Sequence, residues 1–453
     1  MKNRRWFRFI ILTLCVVLAG FLPVETTPVF AAGATDTAAG TDPLLDRQAY
    51  LDTAGFSPAL MQDDQGAGVL VGIIDSGLIP QHEDLAAAHI WAGKNYTGIG
   101  SPLSTTDRTG HGTFIAGMLA AQSDNGIGIA GLADAVDLLP LKCFDPNANT
   151  TIDMIISAIK DATAAGCDVI NMSFGFTTYS AELDQTVKAA QAAGIIMVAA
   201  VGNSPSGEPL YPASFDAVIG VGALDAGQHV APFSQTDRSV FVTAPGENLI
   251  SLWYTAPGDY KAQGYGTSYA AAFVTALAAM AKSRYPDIRP EAFNVLLAES
   301  AVDLGDPGYD TAYGYGRIDA AAFMASLERT AGGTTGIDET SLTEPPLESR
   351  PPTPAITPAI TGTLKETATI AASDELESGE TRNNAQQNTP SGQTDVLTHT
   401  NGEPSAWPFP GLWLVLAALL LAGLGILSLI IAGRRLDPIA LLKNKFGRNR
   451  HSR

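Results

Sequence analysis

The sequence predicts an α/β fold, a mostly parallel sheet with helices on both faces, then a disordered linker and one C-terminal transmembrane helix. Two observations carry the fold class. Short, continuous apolar runs recur along the middle of the chain, the pattern of strands buried on both faces. Longer stretches with helical spacing lie between them, and strands that alternate with helices pair in parallel through crossovers. A change of composition after residue 328 separates this domain from the C-terminal third of the chain.

Residues 1–31 read as a signal peptide. Lys2, Arg4, Arg5 and Arg8 surround the start of an apolar run, Phe9 to Leu22, and Val29-Phe30-Ala31 offers small residues where a signal peptidase reads. An uncleaved membrane anchor is the alternative. Cys15 follows Leu14 and lacks the small preceding residue of a lipoprotein signal, so it is expected to leave with the segment. Residues 32–65 form an N-terminal extension, polar and modestly helical. Its apolar anchors Leu45, Tyr50, Leu51 and Leu60 are expected to pack on the next domain.

That domain spans 66–328. Val69 to Ile74 is a continuous apolar run ended by Asp75-Ser76-Gly77, and similar runs occur at Val136 to Leu141, Val169 to Met172, Ile195 to Val201, Val218 to Val221 and Val240 to Val242. Helical patterns occupy Thr113 to Ala121, Ile152 to Ala165, Ala181 to Ala193, Tyr269 to Lys282, Pro290 to Ser300 and Ala320 to Leu327. Cys143 follows one predicted strand and Cys167 opens the next, and the end of a parallel strand lies too far from the start of its neighbour for a bridge. Two buried thiols are favoured over a disulfide.

Residues 329–406 are dominated by Thr, Pro, Ser, Glu and Gly without apolar periodicity, which suits an extended linker. A flexible coil of that length spans roughly 50 Å root-mean-square. Residues 411–432 carry no charge and are long enough for one bilayer crossing. Trp407, Phe409 and Trp413 mark one interface, and Arg434 and Arg435 mark the other. The basic tail, 433–453, belongs in the cytoplasm by the positive-inside rule. The expected protein is therefore a single-pass cell-membrane protein with its N-terminal domain outside.

The formal net charge is -19. Setting aside the 11 basic residues at the two ends, together with Asp437, leaves 16 basic against 45 acidic residues, or -29 for the middle of the chain. Such a surface repels nucleic acid, so no nucleic-acid partner is expected.

Sites in an open α/β sheet form at the carboxyl ends of its strands. Asp75 ends the first strand, and Asn203 follows the run Ile195 to Val201. His111 stands in Gly110-His111-Gly112-Thr113 before one helix, and Ser268 in Gly266-Thr267-Ser268-Tyr269-Ala270 opens another. Each alone has an ordinary reading: a turn aspartate, a packing histidine, a turn asparagine, a helix-capping serine. Together they are the parts of acyl transfer. Serine needs a base to take its proton, histidine titrates near neutrality, and a carboxylate on the other ring nitrogen fixes the tautomer. The backbone N–H of Ser268 and the amide of Asn203 are candidate donors to an oxyanion.

The order Asp, His, Ser and the segments Gly72-Ile73-Ile74-Asp75-Ser76-Gly77, Gly110-His111-Gly112-Thr113-Phe114-Ile115-Ala116-Gly117, Ala200-Val201-Gly202-Asn203 and Gly266-Thr267-Ser268-Tyr269-Ala270 resemble the motifs of the subtilisin-like serine proteases, the subtilases. The resemblance runs from about residue 66 to 328 and implies a subtilisin-like form of the α/β fold. It also implies that Ser173, Phe174 and Gly175 border the substrate pocket and pair with substrate backbone, and that Leu210, before Tyr211-Pro212, lies near the pocket's base. Ala272 stands where the family usually has proline, and Tyr269 where it has methionine. Leu210 is expected to narrow the pocket, and Glu208 to favour basic side chains if it faces inward. Structural calcium is common in the family, but no ligand-spaced cluster places an ion, so no cofactor and no metal is assigned.

The layout as a whole resembles the mycosins, membrane-anchored subtilases of type VII secretion. The expected function is a membrane-anchored serine endopeptidase acting on exported proteins. The alternative is a structural part of a secretion complex in which proteolysis is secondary.

Overall fold

Successive residues of a strand point to opposite faces of its sheet. The first long strand shows what this does here. In β1 (Leu70–Asp75) Val71 and Ile73 enter one apolar core, while Leu70 and Ile74 enter another. The sheet is thus buried on both sides, which is why its strands read as unbroken apolar runs. The computed structural model describes residues 41–63, 65–256, 258–331 and 369–370. The signal segment, almost all of the linker, the apolar stretch 411–432 and the basic tail lie outside the described residues.

The strands continue with β2 (His89–Ile90), β3 (Lys94–Asn95), β4 (Asp137–Lys142), β5 (Val169–Met172), β6 (Phe174–Gly175), β7 (Ile196–Ala200), β8 (Ile219–Leu224) and β9 (Val242–Pro245). The central sheet has the order β2-β4-β1-β5-β7-β8-β9, with β3 also on β4, and every pair in it is parallel. The six predicted runs are its six longest strands. β4 lies on one side of β1 and β5 on the other, so the strand order reverses at β1. Ligand sites of such sheets form at that reversal, beyond the carboxyl ends, and Asp75 is the last residue of β1. An antiparallel hairpin, β10 (Leu249–Leu252) with β11 (Tyr260–Gly264), stands apart from the sheet.

The helices are α1 (Tyr50–Thr53), α2 (Pro58–Asp63), α3 (His111–Ala120), α4 (Ile152–Ala165), α5 (Ala181–Ala192), α6 (Thr267–Arg284), α7 (Pro290–Ser300) and α8 (Ala320–Ala331). Residues of α3, α6, α7 and α8 share the core with Val71, and those of α4 and α5 share the core with Ile74. α6 is buried from Thr267 to Lys282. Its alanines present so little bulk that neighbours approach on every side. α4 and α5 start on side-chain caps, Thr151 accepting from the Met154 N–H and Ser180 from the Leu183 N–H.

The described part of the extension packs on the domain, as its apolar anchors predict. Phe56 is fully buried, with its ring 5.9 Å from that of Phe273 on α6. Gln48 exchanges two 2.8 Å hydrogen bonds with the backbone of Ala130. Asp42 accepts the N–H groups of Asp124 and Asn125 at 2.9 and 3.1 Å. Cys143 and Cys167 are free and buried. The strands that they flank, β4 and β5, are not neighbours, because β1 lies between them. Among the described residues no helix is long and apolar enough to cross a membrane.

Candidate active site

His111 is the first residue of α3, and its position depends on how that helix begins. The first turn of a helix has N–H groups with no partner inside the helix. The cap position here is Gly110, in the left-handed region at φ 91°, which has no side chain to offer. Two residues from elsewhere take its place. Ser76 Oγ accepts the Gly112 N–H at 3.0 Å, and Asp107 Oδ2 accepts the Thr113 N–H at 2.9 Å and the Thr113 hydroxyl at 2.7 Å. Asp107 Oδ1 accepts the Ser76 hydroxyl at 2.9 Å and the N–H groups of Thr109 and Gly110 at 2.9 and 3.0 Å. The end of β1 and the start of α3 are thus tied through one carboxylate. Gly112 lets them approach, since a Cβ there would sit 2.0 Å from the Gly77 carbonyl oxygen.

This brings His111 Nδ1 to 2.8 Å from Asp75 Oδ1 and 2.9 Å from Oδ2. A carboxylate only accepts, so Nδ1 carries the proton and Nε2 is the basic nitrogen. Asp75 is 1% and His111 2% exposed, so the pair is held away from water. Asp75 Oδ1 also accepts the Ser76 N–H at 2.6 Å. Lys142, opposite Asp75 on β4, donates to the carbonyls of Ser76 and Thr106. Burial holds its ammonium below the ordinary lysine value, and the nearby charges of Asp107 and Asp75 partly offset this.

Ser268 is the second residue of the 18-residue α6, where backbone N–H groups and the helix dipole favour negative charge. Its Oγ donates to the Ser173 carbonyl at 3.2 Å, and Ser173 Oγ lies 3.2 Å from the Ser268 carbonyl. Asn171 Nδ2 donates to Ser173 Oγ at 2.9 Å, and its Oδ1 accepts the Thr275 hydroxyl at 2.9 Å. Tyr269 stacks at 5.7 Å on the His111 ring and at 4.0 Å on Phe114, which sets His111 beside the start of α6. Asn203 Oδ1 accepts both the N–H and the hydroxyl of Thr267 at 3.0 Å. An N–H can face only an acceptor, so the amide is oriented with Nδ2 directed away from Thr267.

The expected pocket residues gather at the same rim. Ser173 and Gly175 are buried. The Phe174 ring points into the core, 5.4 Å from Phe144 and 6.1 Å from Phe176, so only its backbone belongs to the rim. Leu210 fills the space between two glycines: a Cβ on Gly175 would lie 2.6 Å from Leu210 Cβ, and one on Gly202 2.7 Å from Leu210 Cδ1. Glu208 is exposed. Among the described residues no group of three or more His, Cys, Asp or Glu side chains is placed to hold a metal ion.

Sequence reasoning singled out neither Asp107, Lys142 nor Thr267. The signal for Asp107 was an aspartate three residues before a glycine that opens a helix. Thr267 lay inside the serine motif. Lys142 directly follows the apolar run Val136 to Leu141, and nothing in its local sequence marks it as buried.

Residues 66–316 match the Peptidase_S8 subtilase family. Over 268 residues the chain is 39% identical to subtilisin DY of Bacillus licheniformis, covering 58% of this chain and 92% of that protein. It is 35% identical over 257 residues to subtilisin Savinase of Lederbergia lenta, covering 57% of this chain and 91% of the relative. Its fold is similar to the crystal structure of fervidolysin from Fervidobacterium pennivorans, with a TM-score of 0.57 and 29% identity over 64% of this chain and 48% of that one. With the family matched over more than half its length, the chain belongs to the subtilases and is a hydrolase of the subtilisin-like serine protease class.

Proposed function

We propose that the protein is a serine endopeptidase whose nucleophile is Ser268, with His111 as general base and Asp75 as the group that orients it. The observation that carries this reading is the buried Asp75–His111 pair, with Nδ1 at 2.8 and 2.9 Å from the two carboxylate oxygens. That contact leaves Nε2 to take the Ser268 proton as Oγ attacks a peptide carbonyl. The imidazolium formed then faces a carboxylate. The oxyanion is received by the Ser268 N–H and Asn203 Nδ2, with no reorganisation at the moment of attack. His111 next returns its proton to the leaving amine, and water hydrolyses the acyl-enzyme. Substrate backbone pairs with the Ser173–Gly175 edge, and Leu210 restricts the pocket to small side chains.

In this reading the substrates are exported proteins or peptides. The apolar stretch 411–432 anchors the catalytic domain outside the cell membrane, on the linker, a layout resembling that of the mycosins. The test is hydrolysis of a peptide library by the purified protein and by Ser268→Ala. Wild type is expected to cleave after small residues, and the variant to lose about 10⁶ in kcat, the loss known for subtilisin itself, with an unchanged circular dichroism spectrum. Equal hydrolysis by both proteins removes Ser268 from the reaction.

A further inference from the structure

The edges of the His111 ring have their tasks. Nδ1 meets the Asp75 carboxylate, and Nε2 exchanges a proton with Ser268 in the proposed reading. The face of the ring has a partner too. The Tyr269 ring stacks on it, 5.7 Å between centroids and 28° from parallel. His111 is 2% and Tyr269 1% exposed, so the contact is shielded from water. Neither the attack of Ser268 nor the reception of the oxyanion by Asn203 explains why an aromatic ring stands there.

The Tyr269 ring is held in place from α3 and from β11. It stacks on Phe114 at 4.0 Å and 27°. Residues three apart on a helix share a face, so His111 and Phe114 present their rings to α6 from one side of α3. Gly264, at the end of β11, lets these rings close up. A Cβ there would lie 2.5 Å from Phe114 Cζ and 3.2 Å from Tyr269 Cε2. Phe114 is fully buried, and its carbonyl accepts the Ser251 hydroxyl at 2.7 Å. Tyr269 directly follows Ser268 on α6. The ring that bears on the base is therefore joined to the nucleophile.

The face of an aromatic ring carries partial negative charge, and a cation within about 6 Å of its centre is attracted, more strongly away from water. The imidazolium that forms as Ser268 attacks is such a cation. Neutral imidazole feels no comparable attraction. We propose that Tyr269 is a positioning residue for His111, with a ring that fixes the imidazole plane and supports its charged form. The proposal rests on the reading of His111 as general base. The subtilases usually carry methionine at this position, and a thioether fills the space without offering a ring face.

The other charged and titratable groups around the start of α3 are Asp75 on β1, Lys142 and Cys143 at the end of β4, Asp107 and Arg108 before the helix, and Tyr254 beside Gly110. A change at Tyr269 leaves all of them in place. Loss of the ring face disfavours the imidazolium, so His111 stays neutral, and able to accept a proton, down to lower pH.

The experiment measures kcat and KM for a reporter peptide from about pH 5 to 9, the range in which histidine titrates, in wild type, Tyr269→Met and Tyr269→Phe. Tyr269→Met is expected to lower kcat about tenfold with little change in KM, and to move the acid-side midpoint of kcat/KM down by about half a unit to one unit. Tyr269→Phe keeps the ring face and is expected to restore the wild-type midpoint and most of kcat. Tyr269→pentafluorophenylalanine separates charge from shape: the ring remains, its face loses the negative charge, and the same downward shift is expected. A midpoint unmoved in both the methionine and the fluorinated variants overturns the proposal, as does a Tyr269→Phe profile that follows Tyr269→Met rather than wild type. A wild type that hydrolyses the reporter without any acid-side midpoint overturns the reading of His111 as well.

Discussion

Asn203 accepts two hydrogen bonds from Thr267, one from the backbone N–H and one from the hydroxyl, both at 3.0 Å. Thr267 immediately precedes Ser268, so the residue that orients the amide is rigidly joined to the proposed nucleophile. The Thr267 hydroxyl also accepts the Gly202 N–H at 3.1 Å, which ties the Asn203 loop to the start of α6. Thr267→Val keeps the shape and removes the hydroxyl. A hydrogen bond of this kind contributes about 0.5–1.5 kcal/mol, so kcat is expected to fall about two- to tenfold with little change in KM. Asn203→Ala is expected to cost about 10²–10³ in kcat, the range known for loss of this donor in subtilisin. A Thr267→Val effect confined to KM would contradict the orienting role.

Asp107 holds the beginning of α3 in place of a cap. Asp107→Ala leaves the Thr113 N–H and hydroxyl without their acceptor, along with the N–H groups of Thr109 and Gly110. Loss of a cap costs about 0.5–2 kcal/mol, and here the helix concerned carries His111. The expected outcome is a lower melting temperature together with a reduced kcat. Asp107→Asn, which keeps an acceptor, is expected to restore part of both. Full activity in Asp107→Ala would show that β1 alone positions His111.

Lys142 supplies a pH signature. Its folded-state pKa is depressed below 10.5 by burial. Between that depressed value and 10.5 the unfolded chain binds more protons, so this group's contribution to stability rises with pH across the window. Lys142→Met removes the rise. It also strips the donor from two buried carbonyls, a cost of about 1–3 kcal/mol. Melting curves from neutral pH to about 10.5 are expected to show wild type above the variant, with a gap that widens as pH rises. A constant gap would place the folded pKa at the ordinary lysine value.

The two described cysteines are expected to be inert. Complete burial, then the charge of Asp75, pushes the Cys143 thiol well up. Burial, then the charge of Asp168, pushes Cys167 up to about 12 from 9.0. Three units correspond to about 10³-fold less thiolate, and the thiolate is the reactive form. Iodoacetamide on the native protein, with peptide mass mapping afterwards, is expected to leave both unmodified until denaturant is added. Labelling of either at the rate of a free cysteine contradicts the burial.

The parts that were legible in the sequence share one property: burial on both sides. Val69 to Ile74 and Ile195 to Val201 lie between two cores, so every position selects an apolar residue and the run stands out. The glycine-flanked motifs around Asp75, His111 and Ser268 were legible because tight approach excludes side chains, as at Gly112. The hairpin of β10 and β11 was not legible. Its second strand, Tyr260–Gly264, is only half-buried over most of its length and mixes Lys and Gln with apolar residues. The roles of Asp107 and Lys142 depend on partners far along the chain, Ser76 and Thr106 among them, which no local pattern reveals. The pairing of Thr369 with Gly175 joins segments nearly two hundred residues apart.

The central claim is that Ser268 is a nucleophile activated by His111. Reaction of the purified protein with a fluorophosphonate, with mass mapping of the adduct, tests it most directly. The account predicts one adduct, on Ser268, absent in Ser268→Ala and strongly slowed in His111→Ala. An adduct on another serine, or labelling that persists in Ser268→Ala, would contradict it.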